Sequence, residues 1–104
     1  MAWTKAAIIF NYRQAMRQAT ELDSVAANLE RLSKRELENA LDNVAANWQG
    51  DNANIYCRKG DRLQGNINST ARELRSAAAE IRRIAKRIYD AEMANLEIAM
   101  KRNY

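Results

Sequence analysis

The side chains able to do chemistry in this chain are few, and their spacing works against them. Histidine is absent, which removes the commonest general base and metal ligand, and any Ser-His or Cys-His nucleophile pair. Two carboxylate pairs remain as acid/base candidates. Asp90 and Glu92 are two positions apart, so on a helix they point in different directions. Glu73 and Glu80 are one heptad apart, better aligned but separated by about 10 Å along the axis. Neither pair has a histidine, cysteine or glycine-rich phosphate loop beside it. A carboxylate-bridged metal in a helical bundle needs Glu-x-x-His motifs, which cannot exist here. The expectation is a non-enzymatic protein with no catalytic residues, no metal and no cofactor. Cys57 is the single cysteine; it cannot close a disulfide within the chain and reads as a small buried hydrophobe.

Binding chemistry is the alternative, and charge is where it would show. Residues 1–50 carry six basic and six acidic side chains, while residues 51–104 carry eleven and seven, so the net charge of +4 belongs to the second half. Arg72, Arg75, Arg82, Arg83, Lys86 and Arg87 face only Glu73 and Glu80 in their segment. The pairs Arg82/Lys86 and Arg83/Arg87 are like-charged one turn apart, and an acidic surface or phosphates would relieve them. Against nucleic acid, these residues are interleaved with apolar positions, the aromatics lie elsewhere, and no nucleic-acid-binding motif is present. A solvated helix face with partner contacts is the expected reading.

These residues must be positioned by helices. Among 104 residues there is no proline and only three glycines, and the abundance of Ala, Leu, Glu, Lys, Arg and Gln favours an all-α chain. In the first half Ile8, Tyr12, Ala15, Ala19, Leu22, Ala26 and Leu29 recur at steps of three and four, one stripe of an amphipathic helix. The pattern fails at Ser33 and Glu36 and resumes one step over at Leu37, Leu41, Val44 and Trp48, a stutter expected to unwind the helix locally. Ser33-Lys34-Arg35-Glu36 also fits a capping box, so a new helix starting there is a second geometry.

The second half is more regular. Leu63, Ile67, Thr70, Leu74, Ala77, Ile81, Ile84, Ile88, Ala91, Asn95 and Ile98 alternate steps of four and three, a heptad seam that wants a helical partner. Leu63, Ile67, Leu74, Ile81, Ile84 and Ile88 are its candidate hairpin and dimer contacts. A flanking row of Ala71, Ala78, Ala85, Met93, Leu96 and Met100 lies beside it. Gly60 and Gly65 each cost about 1 kcal/mol relative to alanine, so Asp51–Gly65 is expected to fray. Between the arms stands Trp48-Gln49-Gly50-Asp51-Asn52, where Gly50 can end one helix and Asp51 or Asn52 can cap the next.

The expected architecture is one domain over residues 1–104: helix one over 4–48, a turn at 49–52 and helix two over 53–100, forming an antiparallel helix-turn-helix hairpin. Two rods bury only the stripes that face each other, and each large apolar side chain left in water forgoes about 1.5–3 kcal/mol. Pairing of two hairpins into a four-helix bundle dimer would bury the rest. The longest stretch without a charge is nine residues, Leu63–Ala71, too short to span a bilayer, and the patch Ala6–Phe10 falls short of a secretory leader.

A Trp-X-Gly tripeptide, Trp48 and Gly50, at the midpoint of two such arms resembles the ESAT-like WXG family of type VII secretion proteins, and the likeness covers nearly the whole chain. The resemblance implies a helical hairpin that pairs head-to-tail with itself or a paralogous hairpin. It further implies passage from cytoplasm to exterior through a membrane ATPase, as a secreted substrate or as an export partner. The family's usual export signal, Tyr-x-x-x-Asp/Glu, is not met: Tyr12, Tyr56 and Tyr89 are followed four residues later by Met16, Gly60 and Met93. The nearest degenerate form is Ile88 with Glu92, around Tyr89. That departure makes a helical targeting partner of an LXG-type toxin the alternative. An intracellular basic coiled-coil adaptor is the rival class.

Overall fold

The computed structural model describes residues 4–102, and every regular element among them is helical. Helix α1 spans Lys5–Arg31, a π-helical segment spans Leu32–Leu37, α2 spans Glu38–Asn47 and α3 spans Asp51–Arg102. Thr4 caps α1: its hydroxyl oxygen accepts the Ala7 N–H at 3.1 Å and its carbonyl accepts the Ile8 N–H at 3.1 Å, satisfying donors that have no partner inside the helix. The chain divides into two compact units, one of Met1–Leu22 with Ser76–Tyr104 and the other of Asp23–Arg75.

The unit Asp23–Arg75 is a helical hairpin. Its cross-helix partners step toward the turn: Arg75 with Glu30, 45 residues apart, Gln64 with Ser33, 31 apart, and Cys57 with Leu41, 16 apart. That order is antiparallel. The turn is Trp48–Gly50. Trp48 leaves helical geometry at φ −106°, ψ 144° while its N–H still reaches the Val44 carbonyl. Gly50 takes φ +97°, a left-handed value that only glycine adopts without strain. The Gly50 carbonyl accepts the Asn54 N–H, which makes Gly50 the residue that opens α3. Asp51 sits in the first turn, where its charge favours the helix dipole, rather than acting as the cap.

Helix α3 is continuous through Gly60 and Gly65, so the fraying expected over Asp51–Gly65 is not found. Gly60 has a packing reason: a Cβ there would overlap the Leu41 isobutyl group, 2.9 Å from Cδ1 and 3.0 Å from Cγ. Leu41 itself is buried, and the missing side chain lets it rest on the α3 backbone. At Gly65 the space is open.

The stutter of the first arm is taken up by the π-helical segment. Ala26 and Ser33 are buried seven residues apart, but the next buried position is Leu41, eight on. One extra residue is absorbed by the wider turn, which restores the inward stripe. Ser33 lies inside continuous helical backbone, so no helix begins at the capping-box sequence. Its hydroxyl is fully buried without a partner, while its carbonyl accepts the Gln64 side-chain amide at 3.0 Å.

In the other unit the N-terminal part of α1 packs on the C-terminal half of α3. The Tyr12 and Tyr89 rings meet at 4.8 Å and tilt 44°, and Ile8, Ala19, Ala78 and Ala85 are buried. Both units therefore close on small residues: Ala26, Ser33, Ala53 and Ala71 serve the hairpin unit in the same way. This reverses the expected division of labour on α3. The alanine row Ala71, Ala78 and Ala85, read as the flank, is the buried centre. Of the seam positions, Ile67, Leu74 and Ile81 are half-buried, whereas Leu63, Ile84 and Ile88 are exposed. Alanine admits close helix approach, and the larger side chains are displaced to the sides of the contact.

Candidate interaction surfaces

Among the grooves beside the helices, one in each unit gathers candidate residues. Beside the turn, Leu37, Ala40, Val44 and Trp48 from the first arm meet Tyr56 and Leu63 of α3 across an open groove of about 400 Å³, with Gly60 and Leu41 at its floor. The Trp48 and Tyr56 rings stack at 5.7 Å with a 50° tilt. Both remain more than half exposed. Trp48, at the closed end of the hairpin, is expected from the sequence to cover the start of the second arm, and Tyr56 is the ring it meets there. The geometry of the turn creates the pairing by swinging Trp48 out of the helix.

In the other unit, Ile8, Tyr12 and Ala15 of α1 and Ala85, Ile88, Tyr89 and Glu92 of α3 line a groove of about 120 Å³. Ile88, Tyr89 and Glu92, the candidate export residues, are thus brought to one place with different roles. Ile88 is exposed, Tyr89 is half-buried against Tyr12, and Glu92 is half-buried at the groove wall. Ile88 stands at the groove rim and Glu92 lines its wall one turn on.

The basic run of α3 is largely engaged. Arg75 binds Glu30 across the hairpin at 2.6 Å, Lys86 pairs with Asp90 at 3.4 Å, Arg83 pairs with Glu80, Arg72 donates to Ser69 Oγ, and Arg82 is partnered as well. The Arg83 hydrogen bond, reinforced by the charges of Arg83 and Arg87, holds the Glu80 carboxyl below its ordinary range. Glu80 in turn raises Arg83. Cys57 is half-buried, its thiol 3.9 Å from the Leu41 carbonyl. Among the described residues no three His, Cys, Asp or Glu side chains group as a metal site, and no helix is long and apolar enough to cross a membrane.

No protein-family profile, no curated protein and no solved structure matches the chain. The functional reading therefore stands on the turn, the two grooves and the exposed aliphatic row.

Proposed function

We propose that this protein is a non-enzymatic, ESAT-like helical hairpin that acts as a type VII secretion substrate or export partner, paired with a second hairpin in a four-helix bundle. The observation that carries the reading is the Trp48-Gln49-Gly50 turn. Trp48 ends the first arm in extended geometry and Gly50 takes the left-handed φ that reverses the chain. Pairing is supported by the exposed aliphatic side chains of α3: Leu63, Ile84, Ile88 and Ile98 each expose between 43 and 51% of their surface. They recur at heptad-related spacing, as an intermolecular seam requires, while the intramolecular contact is made mostly by alanine.

The engaged state of Arg75, Arg83 and Lys86 weighs against the basic adaptor reading. A second reading, escort of an LXG-type toxin, is favoured by one feature: Tyr12, Tyr56 and Tyr89 are followed four residues later by Met16, Gly60 and Met93 rather than a carboxylate, so the export signal would be completed by the partner. The deciding experiment is a culture-supernatant blot in cells with and without the secretion ATPase, for the full chain and for a chain truncated after Arg87. ATPase-dependent appearance of the full chain supports the proposal. Equal retention in both strains, with or without a coexpressed toxin, overturns it.

A further inference from the structure

We propose that the hairpin unit has two registers at its turn end, and that the π-helical segment Leu32–Leu37 is the element that switches between them. In the register of the structure the segment is π-helical and Leu41 fills the contact with α3. In the second register the segment is α-helical, Ala40 takes the place of Leu41, and Trp48 leaves Tyr56. The sequence supplies both fillings. Ala26, Ser33 and Ala40 stand seven residues apart, the spacing at which an uninterrupted helix keeps one face toward its neighbour, yet Ala40 is exposed. Leu37 and Val44 are half-buried and serve either register. They lie four before and three after Leu41, and three before and four after Ala40, so they flank the contact both ways.

Each register leaves something unmet, which keeps the two close in energy. The π register holds Ser33 fully buried with its hydroxyl unpartnered, in a wide turn of a kind frequent at functional sites. An α-helical serine can donate to the carbonyl four residues back, here that of Leu29. The α register gives up the burial of Leu41. That burial depends on Gly60, because a Cβ there would overlap the Leu41 side chain, so the balance hangs on a single missing methyl group. The residue released by the π segment passes to the turn, where Gly50 has a left-handed φ and open space around it. Removing one residue of slack turns α2 by about 100°. Trp48 is thereby carried off the Tyr56 ring, which it meets at 5.7 Å, and the groove shared with Leu37, Val44 and Leu63 loses a wall. The switch decides whether that groove exists.

The test is NMR relaxation dispersion at the backbone amides of the full chain, which reads exchange on the microsecond-to-millisecond scale of helix register shifts. Exchange is expected from the π-helical segment through α2 to Trp48, with a minor state of about 1–10% whose Cα shifts remain helical over Leu32–Leu37. Gly60→Ala, which drives a methyl into Leu41, should raise the minor population about threefold or more. Ser33→Ala, which removes the unpartnered hydroxyl of the π register, should lower it. Deleting Arg35 takes out the extra residue, locks Leu41 in the contact and should flatten the profiles, with helical content by circular dichroism unchanged. Flat profiles in the parent chain, a minor state with random-coil Cα shifts, or exchange that is the same after Gly60→Ala or after the Arg35 deletion overturns the proposal.

Discussion

Glycine and polar positions along the hairpin have individually different consequences. Gly65 faces open space, so Gly65→Ala should raise unfolding stability by about 1 kcal/mol through helix propensity. Gly60→Ala gains the same propensity but drives a methyl into Leu41. A net loss of about 1–2 kcal/mol is expected, and denaturant midpoints for the pair of variants check the contrast. The buried Ser33 hydroxyl has no partner, so Ser33→Ala should stabilise by about 1 kcal/mol, while Gln64→Leu, which strips the amide from the Ser33 carbonyl, should cost about as much. Glu80 gives a pH signature. Its carboxyl is lowered in the folded chain, so its contribution is present above the unfolded pKa and is lost as pH falls through the folded value. A side-chain NMR titration should place Glu80 below the ordinary glutamate value, and Arg83→Gln should move it back up.

At the scale of the element, the π-helical segment is a register device. It absorbs the one residue by which the spacing from Ser33 to Leu41 exceeds a heptad. Deleting the exposed Arg35 should convert Leu32–Leu37 to ordinary α-helix and leave Ala26, Ser33 and Leu41 on one face. A melting-temperature change of only a few degrees is expected. Deleting the exposed Ser24 in α1 adds no such compensation: it rotates the following chain by about 100° and carries Ala26 off the contact. Thermal melts followed at 222 nm separate the two, the second variant losing most of its cooperative transition.

For the molecule as a whole, the decisive contrast is between the buried alanine row and the exposed aliphatic row of α3. Ala78 is fully buried and Ile84 is 43% exposed. Ala78→Leu should weaken the helix contact itself by about 1–3 kcal/mol. Ile84→Glu should leave a single chain's stability within about 0.5 kcal/mol yet abolish pairing, because a charge on an intermolecular seam must be desolvated. Native mass spectrometry and calorimetry on both variants read the two effects independently. An Ile84→Glu chain that pairs as the parent does would remove the assignment of that row to a partner.

Composition and periodicity determined a great deal of this protein: the helical class, the two arms, the reversal at Trp48–Gly50 and the irregularity near Ser33 were all legible, because each depends on local backbone preference or on the spacing of apolar residues along one helix. Which apolar row faces inward was not legible. The isoleucine and alanine rows of α3 lie side by side at identical heptad spacing, and hydrophobicity alone favours the larger side chains for the centre. Only packing decides in favour of alanine, since Ala71, Ala78 and Ala85 admit a closer helix approach and Leu41 needs the bare backbone at Gly60. The same is true of the Tyr12–Tyr89 ring pair, of the choice of Tyr56 as the ring that Trp48 meets, and of the Gln64 amide on Ser33: each joins residues on different segments of the chain, and no pattern read along one helix contains them.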